Sequence, residues 1–491
     1  IDGISLSTDV GSYGRIGGSL IFGKEFNEDV NLLFSAYGAD IDGDDLYFPD
    51  FDDPSMNNGI AEGLDWERFA GLHSSLRYKN ISLRTMLTTR KKSVPTGAYG
   101  TLFNVSGFES IDERAFVELK AEFPFAADKN VFVRGYYDYY GYSGAYPYPA
   151  VINYDASIGS WAGGEAQFRW DIFSGNRFTV GGEWKDNPRA DYRNWTPDTV
   201  YFDKNFPFHA LSIYFQDEFQ IVDNLALIAG IRRDEYSSTG SATTPRIALI
   251  YNPTNTSTVK LLYGDGFRAP NVYEANYEDA LSQWKMNPDL RSEQIMTREL
   301  VYEQRISNSL FGVFSAYTYH MTDLIDSFKD SLDVSQFLNI NEVNAFGLEV
   351  EVSFITEYGM KGVLSGSYQE AKDPSTNMSL SNSPAYFARF GLSYPLRSDV
   401  MISAECIYNS ERITVYGTTT EPILTTRLAL FAQPGLSDET WLAGAINRFK
   451  VSLLVDNIFN SEYSTPGGVE HLQRAIPQDR RNFRFKVSYA F

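Results

Sequence analysis

Apolar and polar residues alternate one by one through the last nine positions, Phe483-Arg484-Phe485-Lys486-Val487-Ser488-Tyr489-Ala490-Phe491. Side chains on a strand point to opposite faces in turn, so this pattern predicts a strand with one greasy face and one face suited to water. The alternation recurs in Leu211–Phe219, Leu225–Arg233, Val259–Arg268, Leu310–Tyr319, Phe346–Phe354 and Val451–Phe459, and a first strand pair is expected at Ile4–Val10 and Arg15–Phe22. Within Phe346–Phe354 the apolar set faces one way, and Glu349, Glu351 and Ser353 face the other. Carboxylates are costly against lipid. If the apolar face meets a bilayer, these acids must face a wet interior.

The connections between strands alternate in length. Short ones, such as Tyr78-Lys79-Asn80, Ser174-Gly175-Asn176, Val222-Asp223-Asn224, Ser307-Asn308-Ser309 and Glu357-Tyr358-Gly359, contain the Gly, Asn and Asp that tight hairpins need for positive φ. Long ones fall at 43–63, 93–110, 187–207, 268–292, 326–341 and 460–481. A closed barrel with brief periplasmic turns and long outer loops produces this rhythm, and a soluble sandwich has no reason to. A repeat of roughly 22 residues per strand and connection gives about 22 strands in all. The stretch Gln433–Arg448 breaks the rhythm, because a turn expected to be short is long there. The expected fold is all-β: one transmembrane antiparallel β-barrel over residues 1–491, set in a bacterial outer membrane and closing on Phe491. A soluble all-β binding protein is the competing class.

Composition narrows the choice. No run approaches 18 consecutive apolar residues, which excludes a helical membrane protein. The 32 Tyr and 35 Phe suit the two aromatic girdles of a membrane barrel, although a Tyr-rich polysaccharide-binding protein would share them. The net charge of −21 argues against a nucleic-acid partner. It fits a surface that meets divalent cations and polyanionic lipid, and equally a set of solvated acidic loops. A single cysteine, Cys406, rules out an internal disulfide and is expected to be a buried small hydrophobe. The chain opens on Ile1-Asp2-Gly3 without a signal peptide, so an exported protein of this sequence is expected to be processed or truncated.

Candidate chemistry lies in the predicted outer loops. Asp40, Asp42, Asp44 and Asp45 surround Gly43, with Asp50, Asp52 and Asp53 following. Hard cations take six to eight oxygens, so calcium is a candidate here. The bidentate acid that would end an EF-hand loop is out of register, and a solvated acidic loop is the plainer reading. After Arg268 come Asn271, Tyr273, Glu274, Asn276, Tyr277 and Trp284; the loop at 187–208 holds Arg189, Tyr192, Arg193, Trp195 and Tyr201. Aromatic and amide side chains can stack on and hydrogen-bond a small organic ligand. The arginines would suit an anionic chelate, against the overall acidity. Arg268 itself is expected in a structural ion pair. The last loop carries His471, Arg474, Arg480 and Arg481. His73, His209 and His320 lie far apart, so no His/Cys metal spacing exists. Nucleophile-elbow, phosphate-loop and zincin motifs are missing, and Gly264-Asp265-Gly266 lacks the third glycine of a dinucleotide fingerprint. Neither catalysis nor a required cofactor is expected.

Four segments carry a resemblance to the TonB-dependent receptor family. Ser212–Glu218 followed by Ala229–Asp234 resembles its paired mid-barrel strands, and Tyr263–Asn271 its GxxFRAP segment. Asn287-Pro288-Asp289-Leu290 with Ser292-Glu293 resembles its NPDLxxE loop exit, and Val455–Tyr463 its VxNLFDxxY segment. The resemblance implies a plugged barrel for energised uptake of a scarce, bulky solute such as a metal chelate, cobalamin or an oligosaccharide. Outer loops would capture the solute and movement of a plug would open the lumen, without covalent chemistry. Calcium ordering the outer loops also fits that family. The implied partners are outer-membrane lipid, a small-molecule ligand and a plug domain or plug-like protein, with a TonB-type energy-coupling protein acting through it. Strand pattern begins at once in this sequence, so the amino-terminal plug is expected to be absent from this chain. A passive channel, or a barrel scaffold holding a partner protein, is the alternative.

Overall fold

The computed structural model describes residues 2–279, 283–435 and 446–491. Strand makes up 69% of the described residues, and 22 antiparallel strands close into a barrel. The first strand, Gly3–Gly11, pairs with the last, Asn482–Ala490, with Leu6 opposite Tyr489 and Ser7 opposite Ser488. The Ser7 hydroxyl donates to Ser488 Oγ at 2.9 Å, and Arg484 donates to both oxygens of Asp9 at 3.0 and 2.8 Å. This seam leaves no free sheet edge, which is what permits strands to cross a bilayer with every backbone group paired.

Alternation fixes the two faces of the wall. Ile4, Leu6, Val10, Phe483 and Phe485 are exposed on the outer face, while Asp9 and Arg484 meet on the inner one. Large apolar side chains exposed in this way are what a lipid-wetted cylinder requires. No helix among the described residues is long and apolar enough to cross a membrane. Glu349 lies in register between Ser315 and Ser367, whereas Val350 is half exposed on the opposite face. The interior wall also carries ion pairs. Arg134 reaches Glu165 at 2.9 Å and Glu183 at 3.1 Å, and Arg232 reaches Glu183 at 3.1 Å and Asp234 at 2.9 Å. The Tyr136 and Tyr214 hydroxyls donate to Glu183 and Glu165.

Two of the short turns use the expected glycine, Gly175 at φ 84° and Gly359 at φ 80°, and a side chain at Gly175 would also approach Gln220 Cβ to 2.9 Å; in Tyr78-Lys79-Asn80 the left-handed residue is Lys79, at φ 53°, and not the asparagine. Several strands are far longer than the roughly ten residues needed to cross the apolar core. Lys129–Tyr148, Val151–Phe173 and Asn176–Trp195 therefore stand above the membrane at their outer ends. For this reason 187–207 and 326–341 are mostly strand instead of the loops expected. Asn176–Trp195 is extended by a short added strand, Val200–Asn205, and Leu310–Lys329 turns directly into Ser335–Ile355. The alternation at Val451–Phe459 ends early. Its strand stops at Asp456 because Asn457 and Asn460 are left-handed, and the Asn457 side chain closes a turn onto Ser461 at 2.7 and 3.0 Å. Cys406 is half-buried, in register between Phe390 and Thr426. Of the irregular stretch Gln433–Arg448, residues 436–445 lie outside the described residues.

Three outer loops, 42–66, 94–108 and 457–481, fold against one another. Phe48, Phe51, Ala61 and Phe103 form an apolar core that Leu46 and Ile476 complete. Phe51 stacks on Phe103 with centroids 4.1 Å apart, and Phe48 meets Phe103 edge-on at 5.9 Å. The buried Gln473 amide donates to the Thr96 carbonyl at 2.8 Å, and the Tyr99 N–H donates to the Glu470 carbonyl at 2.7 Å.

Candidate functional site

Beside that cap, the inward faces of three tall strands converge on Asp155, and the Leu102 N–H of the cap loop donates to the Pro147 carbonyl at 2.8 Å. The carboxylate is 9% exposed, and its Oδ2 accepts from the Tyr146 hydroxyl at 3.3 Å and the Tyr192 hydroxyl at 3.2 Å. Tyr146 comes from Lys129–Tyr148 and Tyr192 from Asn176–Trp195, one on each side of the strand that carries Asp155. The Tyr142 and Tyr146 hydroxyls lie 2.6 Å apart. Gly144, between them on the same face, makes the room: a Cβ there would stand 2.4 Å from Asp155 Oδ1. Asp155 Oδ1 is buried and has no partner. Burial pushes the Asp155 carboxyl up to about 6, although its tyrosine hydrogen bonds pull the other way. Burial and the Asp155 charge hold the Tyr146 and Tyr192 phenols well above their ordinary range.

From Tyr192 the aromatic contacts run on into the loop after Arg268. Tyr192 meets Tyr273 at 5.3 Å and Tyr277 at 5.5 Å, both edge-on, and Tyr273 stacks on Tyr277 at 4.7 Å. Phe202 packs on Tyr192 and Tyr277; Trp284 contacts Tyr277 at 6.2 Å and Phe337 at 5.0 Å. On the other side Tyr146 contacts Phe108 at 5.2 Å and Tyr99 at 5.9 Å. A belt of rings thus joins loops that are distant in sequence. Each ring contact contributes about 0.5–1.5 kcal/mol beyond area burial, so the belt is a fixed surface. Such a surface can stack on a ligand and offer phenols to its polar groups.

The ligand-binding residues expected from sequence divide by role. Tyr192, Tyr273 and Trp284 enter the belt. Arg189, Arg193 and Trp195 do not, because alternation continues through their strand and places them on the face opposite Tyr192. Arg193 lies over the Trp195 ring at 4.6 Å and pairs with Asp203 at 3.3 Å, and Trp195 stacks on Tyr154. Arg189 pairs with Asp191 at 2.6 Å. Asn271 and Glu274 form a reciprocal capping box at the helix Val272–Asn276, which holds Tyr273 and Tyr277 one turn apart. Arg268 has the structural ion pair expected of it, to Glu293 at 2.6 Å and Glu274 at 2.8 Å.

The acidic loop separates its carboxylates. Asp40 pairs with Arg68 at 3.1 Å, Asp44 accepts from the Asp45 N–H, and Asp45 accepts from the Gly63 N–H at 2.8 Å. Asp42 packs beside Gly14, and its own N–H donates to the Tyr13 carbonyl. Among the described residues, no group of three or more His, Cys, Asp or Glu side chains is arranged to hold a metal ion. His471 sits 3.2 Å from Glu470, and Arg480 pairs with Glu462 at 2.5 Å. Asp155, Tyr142 and Tyr146 escaped the sequence reading. Their signal was present in Tyr142-Ser143-Gly144-Ala145-Tyr146, an every-second-residue pattern of phenols around a glycine.

The family profile described as "TonB dependent receptor-like, beta-barrel" matches residues 7–433. Among solved structures, a mutant of the ferric enterobactin receptor PfeA from Pseudomonas aeruginosa, in complex with enterobactin, superposes with a TM-score of 0.78 at 15% identity. The similarity covers 100% of this chain and 82% of that one. The copper transporter OprC gives 0.76 at 16% identity over 100% and 80% of the two chains. The siderophore receptor PirA from Acinetobacter baumannii gives 0.76 at 12% over 100% and 81%. These identities show a shared fold. A comparison with curated sequences gives no match.

Proposed function

The chain belongs to the TonB dependent receptor-like β-barrel family of outer-membrane receptors and transporters, and on that premise we propose that it captures a scarce, bulky solute at its aromatic outer mouth for energised uptake. The observation that carries this reading is the belt of Tyr192, Tyr273, Tyr277 and Trp284, which stands above the membrane at the entrance of a polar-walled cylinder. Capture there is binding by stacking and hydroxyl hydrogen bonds, followed by passage through the lumen. The wall supports passage because its charges are paired along the sheet and present hydrogen-bonding groups to water. Energised passage needs a plug domain or plug-like protein in the lumen and a TonB-type protein pulling on it, which are the remaining parts of this proposal. Copper and ferric-siderophore proteins among the similar barrels make metal chelates the first solute class to try, ahead of cobalamin and oligosaccharides.

Growth of a gene-deletion strain on single sources of each class tests the proposal. Loss of growth on one class is expected, restored by the intact gene and not by a Tyr192→Ala, Tyr273→Ala double variant. Unchanged growth on every class, or a steadily open pore from the natural gene product in planar bilayers, would refute it.

A further inference from the structure

The charge at the mouth points to the kind of solute it takes. The loops at 187–208 and 268–292 hold four arginines, and each already has a carboxylate: Arg189 with Asp191, Arg193 with Asp203, Arg268 with Glu274 and Glu293, and Arg291 with Asp323 at 2.5 Å. Lys204 is paired with Glu278 at 2.6 Å, and Lys285 is the remaining basic side chain. The guanidinium forks that would grip an anionic chelate are therefore occupied. Behind the ring belt the charge has the other sign. Asp155 is nine-tenths buried, no basic side chain pairs with it, and one of its oxygens has no partner. The titratable groups around it are phenols: Tyr142, Tyr146 and Tyr148 on one neighbouring strand, Tyr192 on the other, Tyr99 from 94–108 and Tyr273 from 269–292. Glu470 and Asp112 lie beyond them.

Aromatic rings backed by a carboxylate form a site for a cation. The negative faces of the rings attract it, and attraction strengthens as water is excluded. Tyr146 and Tyr192 donate their hydroxyl hydrogens to Asp155, which leaves the rings richer in electron density than free phenols. We infer that this mouth selects solutes bearing an organic cation such as a primary or quaternary ammonium, held against the exposed Tyr273 ring and its neighbour Tyr192, with Tyr277 buried behind them and Asp155 as the counter-charge. The inference rests on the capture reading above and adds the charge of the solute to it.

The test uses the full-length receptor and three probes: a ferric trihydroxamate with a primary ammonium arm, the same complex with that amine acetylated, and a ferric tris-catecholate anion. Binding is measured by calorimetry, and heat-modifiable migration confirms the assembled barrel. The ammonium probe is expected to bind about tenfold more tightly than its acetylated counterpart at pH 7.5. The ratio should shrink towards pH 5 and fall within about twofold in Asp155→Asn. Should Asp155→Asn fail to assemble, Tyr192→Phe keeps the ring, removes the hydroxyl and must lower the ratio. Equal affinities in the wild type, a preference that survives both variants, or tightest binding of the tris-catecholate would overturn the cation assignment while leaving capture at the mouth standing. Binding of none of the three would overturn the cation assignment, and the growth test above then decides the capture reading on its own.

Discussion

Two adjoining regions of the outer mouth are built from aromatic rings to opposite ends. On one side Phe48, Phe51 and Phe103 are buried together with Ala61, and the loops that carry them close into a small apolar core. On the other, the rings are mainly tyrosines, stacked edge to face, with hydroxyls directed to Asp155. A phenylalanine has no hydroxyl to offer a polar solute, and the rings buried in the cap have no face free for one. A tyrosine packs equally well and keeps a polar handle that needs a partner. The first side is a fixed cap, and the second a surface for recognition.

The largest effect that separates them is expected from Phe103→Ala. Removing a ring from a packed cluster leaves a cavity and costs about 3–5 kcal/mol. The loss should fall on the cap, because the barrel wall is held by its own ladders. Proteolytic nicking within 42–66 and 94–108 should rise while heat-modifiable migration stays unchanged. If the whole barrel unfolds early, the cap is part of the wall's stability and the contrast fails.

The tyrosine side should respond to pH, whereas segment 46–61 of the cap should not. The Asp155 carboxyl is raised from an ordinary 3.8 to about 6 in the folded protein. The folded state therefore holds a proton that the opened state releases. The stabilisation from that proton is complete below about pH 4 and lost as pH rises through about 6, and it is on the order of 2–3 kcal/mol for local opening. Hydrogen exchange at 142–161, corrected for intrinsic rates, should be slower at pH 5 than at pH 7.5. Asp155→Asn should abolish that difference, whereas exchange at 46–61 should show none in either protein.

Smaller effects refine the recognition side. Arg268→Ala leaves Glu274 and Glu293 facing each other and should loosen 269–292 by about 1 kcal/mol, a modest figure because the guanidinium is partly solvated. Arg268→Lys should recover only part of this, since a lysine cannot bridge both acids with a fork. Asn271→Ala removes the capping oxygen of Val272–Asn276 and should cost about 0.5–1 kcal/mol, seen as faster exchange at Glu274 and Ala275. If neither change alters exchange around Tyr273, the ring belt is held by stacking alone.

Much of this architecture was legible in advance. Strand phase at Phe346–Phe354 assigns Glu349 and Glu351 to the lumen, and the ion pair of Arg268 was expected from its place at a strand end. The loops at 187–208 and 268–292 were identified by composition, and they meet. What misled was treating 187–195 as loop. Had alternation been followed through Tyr192-Arg193-Asn194-Trp195, Arg193 and Trp195 would have fallen on the face away from Tyr192. Asp155 was passed over because a single acid in a tyrosine-rich strand has no local mark. Its importance comes from Tyr192, which lies on another strand.

What the sequence determined by itself is the phase of each strand, and with it which side chains meet lipid and which meet water, because that rule is local and repeats every two residues. The tight turns at Gly175 and Gly359 are local too, set by the glycine. The tertiary structure decided which loops become neighbours. Closing 22 strands into one sheet brings Tyr146, Asp155, Tyr192 and Tyr273 together on the rim and sets the Phe48–Phe103 cluster beside them, through Tyr99 and Phe108. That arrangement follows from the tilt and register of the whole sheet, a property that no short stretch of residues contains.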